Sequence, residues 1–271
     1  MKVIDAFSFF NEFEILKLRL NYLKDVVDYF LICEGKYTYS GEEKIYYLEA
    51  IKHELPEEIL NKIISIHYEP DISQYNFPYK VEQFNPDNDN WKFEKDQRDY
   101  ISHSLSTFAK NDLFIYSDVD EIPNKELIQH IKSHQVPEDF CASVDQEVFY
   151  YNFHTKTDES WKGTIISTVS NAVQYGCDYF RANRYQFRPY QKGGWHFSFF
   201  GNENKIKHKI KSFSHQEYNQ DRYTQNISNL INSKQDLFHR DIQFNSYNFN
   251  DFPKELQDVI ISIFPKHYIV K

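Results

Sequence analysis

Two aspartates in the stretch Phe114-Ile115-Tyr116-Ser117-Asp118-Val119-Asp120-Glu121-Ile122-Pro123 have the types and spacing to do chemistry. Asp118 and Asp120 stand one residue apart with no Cys or His beside them. Their oxygens can turn toward one point, and hard oxygen ligands suit Mg²⁺ or Mn²⁺ rather than zinc. Such an ion keeps positions open for substrate phosphates. A solvated acidic turn has the same spelling, so the context has to decide. The β-branched and aromatic run before the acids reads as a buried strand. Pro123 then opens a helical pattern with Leu127, Ile128 and Ile131 on one face. In open α/β sheets ligands bind beyond the carboxyl ends of the strands, which is where this reading puts the acids.

Other side chains stand out by position. A helix over 90–109 carries an apolar stripe of Trp91, Ile101, Leu105 and Phe108, and Arg98 falls inside it, about 20° from Leu105. That guanidinium either pairs with a structural carboxylate or reaches a phosphate, for which its fork is suited. Glu12 follows the first strand and Glu34 ends the second, and a right-handed crossover places both at the same sheet edge. Glu34 is either a capping carboxylate or a ligand. Residues 193–198, Gly-Gly-Trp-His-Phe-Ser, read as a turn in which permissive backbone holds Trp195 and His196.

These residues need elements to position them. Residues 2–7 read as a first strand, followed by a helix with Ile15, Leu16, Leu18, Leu20 and Leu23 buried, and 28–34 as a second strand, apolar throughout like a strand covered on both faces. A short strand is expected at 45–48, a helix at 57–60 and a third strand at 63–68. The aperiodic stretch 69–90 is long enough to be a lid or substrate-binding loop. A long strand over 140–153 bears Asp145 and Glu147, and 164–169 and 179–190 suggest antiparallel additions. Helices are expected over 203–213, 223–231 and 254–263. The sum is a single α/β domain over 1–271, a mostly parallel sheet with helices on both faces.

Composition narrows the classes. The net charge of −9 argues against a general nucleic-acid binder. The run Lys205-Ile206-Lys207-His208-Lys209-Ile210-Lys211 is the basic exception, either a solvated helix face or a contact for an anionic lipid or a diphosphate. Cys33, Cys141 and Cys177 have no metal spacing and read as reduced core residues. There is no apolar run of about 18 residues and no charged-then-apolar leader, so neither a membrane span nor a secretory signal is expected. The expected location is cytoplasmic, or peripheral to a membrane.

Together these pieces resemble glycosyltransferase family seventeen. The likeness runs from Asp5-Ala6-Phe7 through residues 11–16, Val26-Val27-Asp28 and Cys33-Glu34, and continues at Arg98, at 112–123 and at 194–198, so it covers most of the chain. Asp-Val-Asp-Glu-Ile-Pro followed by Gly-Trp-His-x-Ser, in this order, is more specific than either piece alone. The resemblance implies a GT-A type nucleotide-sugar-binding fold and transfer of a sugar, N-acetylglucosamine, from a UDP-sugar to a glycan or glycolipid hydroxyl with inversion. Asp118 and Asp120 would hold Mn²⁺ or Mg²⁺ against the diphosphate, with His196 as third ligand and His215 as its rival. Arg98 would add positive charge, Glu12 and Glu34 would border the donor, and Trp195 would stack on a sugar or fill the core. The proton-accepting base is Glu203 or Glu121. Animal members carry an N-terminal anchor and stem that this sequence does not show, which favours an acceptor other than an N-glycan. A non-catalytic sugar-nucleotide or glycan-binding module and a metal-dependent phosphoesterase are the alternatives.

Overall fold

The computed structural model of the chain describes residues 1–78 and 80–269. Tyr79, in the segment read as a long loop, and Val270 and Lys271, at the end of the expected domain, lie outside the described residues. Strand alternation sets the architecture of the first half. In β1 (Val3–Ser8), Val3 and Phe7 enter one apolar cluster while Ile4 and Ala6 enter another. β2 (Tyr29–Gly35) divides Phe30 and Ile32 from Leu31 and Cys33 in the same way, so both faces of these strands are buried. With β3 (Ile63–Tyr68) and β4 (Leu113–Asp118) they form a parallel run ordered β3-β2-β1-β4. The register pairs Ser8 with both Cys33 and Asp118, which aligns the carboxyl ends of three strands.

The chain then adds β5 (Glu121–Pro123), β6 (Cys141–Tyr150), β7 (Thr155–Trp161), β8 (Ile165–Thr168), β9 (Arg188–Ser198) and β10 (Phe244–Ser246). The main path runs β10-β7-β6-β8-β4-β1-β2-β3, with β9 paired to β5 and β6. β8 is antiparallel to both β4 and β6, so β6 returns to the direction of the parallel run, and β9 lies parallel to β6. Only β5, β7 and β8 oppose that direction among the described residues, and the sheet is mostly parallel.

Helices cover both faces. α1 (Phe13–Leu23), with α2 (Tyr47–Ile51) and α3 (Glu57–Leu60) from the crossover between β2 and β3, packs on the Phe7 side. α4 (Asp89–Tyr100) puts Phe93 against the Ile4 side. α5 (Lys125–Ser133) joins the first layer through Ile128 and Ile131, while α6 (Val169–Tyr175) and α7 (Cys177–Asn183) join the second through Ala172 and Phe180. α8 (Glu203–Ser212), α9 (Asp221–Thr224) and α10 (Ile227–Asn232) follow, with Ile206, Ile210 and Ile227 in a third cluster over β6. α11 (Lys254–Ile263) returns to α1. Among the described residues no helix is long and apolar enough to cross a membrane.

Several expected elements differ. Residues 45–48 are not a strand: both Glu34 oxygens accept backbone N–H bonds, from Tyr47 at 2.8 Å and Leu48 at 2.9 Å, and so cap the first turn of α2. Pro123 does not open a helix. It ends β5, and Asn124 caps α5 by accepting from Glu126 N at 2.9 Å. The helix over 90–109 is regular only to Tyr100 and tightens into a 3₁₀ turn, Ile101–Leu105. Residues 177–183 form a helix because Cys177 and Phe180, three apart, meet the core. The strand expected over 179–190 instead starts at Arg188, and it runs parallel to β6 rather than as an antiparallel addition. Gly193 and Gly194 lie inside that strand rather than in a turn.

Candidate active site

A buried arginine fixes the acidic turn. Arg19 of α1 is fully buried and grips Asp5 of β1, with Nε at 2.8 Å and Nη2 at 2.6 Å. Its Nη1 donates to the carbonyls of Asp118 at 2.8 Å and Glu121 at 3.0 Å, and its Nη2 to Ser117 Oγ at 2.7 Å. The Glu121 carbonyl also accepts from Thr164 Oγ1 at 3.1 Å, and the Asp120 carbonyl from Phe197 N at 2.8 Å. With its backbone so held, the turn directs the Asp118 and Asp120 side chains into an open cavity of about 530 Å³.

The three acids have separate fates. Asp118 accepts from Arg181 Nη2 at 2.7 Å, and Asp120 from Lys209 Nζ at 2.9 Å with His196 Nε2 at 3.7 Å. Burial pushes both carboxyls up, but Arg181 and Arg98 around Asp118, and Lys209 and His196 around Asp120, outweigh it and hold both below the usual carboxylate range. Burial opposes the Lys209 charge as well. Asp120 and Glu12, the latter at 3.1 Å, hold its ammonium well above the ordinary lysine range. Glu121 turns inward and is fully buried. It accepts from Asp118 N at 2.9 Å, Trp161 Nε1 at 2.6 Å and Arg181 Nη1 at 2.8 Å, which leaves it no place for an acceptor hydroxyl.

The cavity brings together some of the expected residues and excludes others. Glu12, Arg98, Asp118, Asp120, His196 and His215 all line it. Arg98 pairs with Glu94 and with Asp178 at 3.1 Å. His215 stands on an aromatic wall, 4.5 Å from the Trp91 ring, with its Nδ1 bonded to Glu217 at 2.7 Å rather than beside the aspartates. Trp195 is a core side chain packed edge-on to Tyr22 and Phe252, so it offers no face to a sugar. Glu203 lies outside the cavity, paired with Lys207 at 2.6 Å and bonded to Ser228, and cannot act as its base. Glu34 is occupied by its capping bonds and by Lys44 at 3.4 Å. Asp145 and Glu147 are spent on Ser160 and Lys156.

Reading the sequence missed Arg19, Arg181 and Glu94, and took Lys209 only as one member of the basic run. Arg19 sits between Leu18 and Leu20 on a helix buried nearly all round, the same signal that drew attention to Arg98. Arg181 lay in a segment read as strand. Lys205 and Lys209, four apart, bind Glu14 and Glu12 while Ile206 and Ile210 are buried, so the basic run is not simply a solvated face. The Glu94 Oε2, Trp91 Nε1 and His196 Nδ1 atoms are buried around the cavity with no hydrogen-bond partner among the described residues.

Asp118 and Asp120 are the hard oxygen donors that the cavity presents to a divalent cation. Among the described residues no three ligating side chains converge to enclose one. A magnesium-like ion needs only one or two carboxylates when substrate phosphates and water complete its shell, and Asp118 and Asp120 offer that chemistry.

A mostly parallel sheet with helices on both faces, and a charged cavity at the carboxyl ends of its central strands, define an α/β protein with a candidate ligand site at the strand ends. The family model for glycosyltransferase family 17 matches residues 1–267, and the chain belongs to that family. The β-1,4-mannosyl-glycoprotein 4-β-N-acetylglucosaminyltransferases of Rattus norvegicus and Homo sapiens are each 27% identical over 195 residues, covering 69% of this chain. The match spans 34% of the length of those relatives. Among solved structures, the inositol-1-phosphate CTP transferase from T. maritima overlaps 100% of this chain and 98% of its own at 11% identity and a TM-score of 0.30. That overlap adds nothing to what the strand order already defines.

Proposed function

We propose that the chain moves a sugar, N-acetylglucosamine as in the relatives' name, from a UDP-sugar to a hydroxyl of a glycan or glycolipid acceptor, with inversion at the anomeric carbon. The observation that carries this reading is the meeting of Asp118 and Asp120 with Arg98, Arg181 and Lys209 in one cavity beyond β1, β2 and β4. Its volume of about 530 Å³ is in the range of small-molecule sites.

Arg98 and Arg181 present planar forks to diphosphate oxygens, and Lys209 a point charge. Cations preorganised in a partly desolvated cavity stabilise the charge that grows on departing UDP. Tyr37, Tyr39 and Trp91 line the same space with aromatic faces suited to a pyrimidine. The unpartnered Glu94 Oε2 suits a ribose hydroxyl or uracil N–H. Asp118 and Asp120 would hold Mn²⁺ or Mg²⁺, with His196 nearest to them. Such an ion supplies Lewis-acid neutralisation of the diphosphate when bound.

The test is UDP release from UDP-N-acetylglucosamine, UDP-glucose and UDP-galactose, with Mn²⁺ and after chelation. Metal-stimulated release from one donor is expected. Asp120→Asn should lower it about 100-fold while far-UV circular dichroism still reports the folded protein. UDP binding without release would mark a binding module, and cleavage of simple phosphate esters instead would mark a phosphoesterase. Full turnover by Asp120→Asn would reject the metal assignment.

A further inference from the structure

We propose that Glu159 is the general base that takes the acceptor proton, an inference that rests on the transferase reading above. Six carboxylates line the cavity, Glu12, Glu94, Asp118, Asp120, Glu159 and Asp178. Five are held by cations: Glu12 and Asp120 by Lys209, Glu94 and Asp178 by Arg98, and Asp118 by Arg181. Glu159 is the exception among the described residues. Its backbone N–H donates to Thr157 Oγ1 at 3.2 Å, and its carboxylate has neither an ion pair nor a hydrogen bond among the described residues. A base needs a free lone pair at working pH, and an arginine-bound carboxylate has its lone pairs committed.

Position supports the same choice. Glu159 and Trp161 lie two apart on β7 and both face the cavity. The Trp161 ring packs under the guanidinium groups of Arg181 at 5.4 Å and Arg184 at 5.1 Å, beside the cations assigned to the diphosphate. Glu159 stands about 7 Å further along that face. It is exposed where Trp161 is half-buried, so it lies on the solvent side of the leaving group. Tyr150, whose hydroxyl accepts from Arg240 Nη2 at 2.7 Å, lies close enough to feel the Glu159 charge and walls the same part of the cavity. An acceptor entering from solvent meets Glu159 before it meets the donor.

In the step, the acceptor oxygen bonds to C1 of the donor sugar. The bond from C1 to the phosphate oxygen breaks with its electron pair left on UDP, and the hydroxyl proton passes to a Glu159 oxygen. Water can stand in for the acceptor, which gives a probe without a known glycan. In UDP-N-acetylglucosamine hydrolysis, Glu159→Gln should lower the rate about 100-fold. Its calorimetric UDP dissociation constant should stay within about twofold of wild type. Glu159→Asp should restore part of the rate. Wild-type protein that turns over beside a Glu159→Gln variant of equal rate overturns the role of Glu159 alone. Wild-type protein that binds no UDP and releases none overturns the transferase reading, and the base with it.

Discussion

Asp118, Asp120 and Glu121 have similar chemistry and are separated in role by their partners. Glu121 is consumed inward by an indole, a guanidinium and a backbone N–H, while the aspartates face the cavity with one resident cation each. Arg19 enforces that division, because its guanidinium ties the turn's carbonyls to Asp5 beneath the sheet. Arg19→Met keeps much of the aliphatic bulk but leaves the fully buried Asp5 without its cation. Breaking a buried pair this way costs about 3–5 kcal/mol, so the urea midpoint should fall sharply. Adding Asp5→Asn should recover part of that loss, since the uncompensated charge is then gone. A single variant as stable as wild type would show that Arg19 does not hold the turn.

At the scale of elements, the parallel run was legible, as were β6, β8, α8 and α11 later in the chain, while α7 and β9 were not. β2 is a nearly unbroken apolar run of the kind that names a strand covered on both faces, and β1, β3 and β4 are runs rich in apolar and β-branched residues. α11 was equally plain from its periodicity. β9 was not, because Gly193-Gly194 spells a turn, and its meaning depends on β5, a neighbour far away in sequence. The Cβ that Gly194 lacks would lie 2.4 Å from the Ile122 carbonyl and 2.8 Å from Pro123 Cα. Glycine is required there for space between two backbones. The partners of the site were hidden for the same reason: Arg181 and Lys209 meet the aspartates from 63 and 89 residues away. Gly194→Ala should push β5 off β9, cost about 1–3 kcal/mol and weaken UDP binding through the displaced turn. Melting temperature and calorimetry read the two effects. A variant with unchanged values in both would show that this pairing does not position the acids.

For the whole molecule, acid acts in two opposing ways. The net charge of −9 is repulsive, and protonation that brings it toward zero relieves that repulsion over a broad range. Asp118 and Asp120 act oppositely, since their folded-state values lie below the usual carboxylate range. A depressed carboxyl contributes stability that is fully present above its unfolded value, about 4, and is lost as pH falls through the folded one. The urea midpoint should therefore hold or rise slightly from pH 7 to about 5 and drop below about 4. Salt separates the terms, because surface repulsion is screened at about 0.5 M whereas pairs in a partly buried cavity are screened much less. Added salt should flatten the upper part of the curve and leave the acid drop. Asp120→Asn should shrink that drop, because the side chain that titrates beside Lys209 is then neutral at every pH. An Asp120→Asn curve that overlays wild type below pH 4 would place the acid sensitivity elsewhere than in this turn.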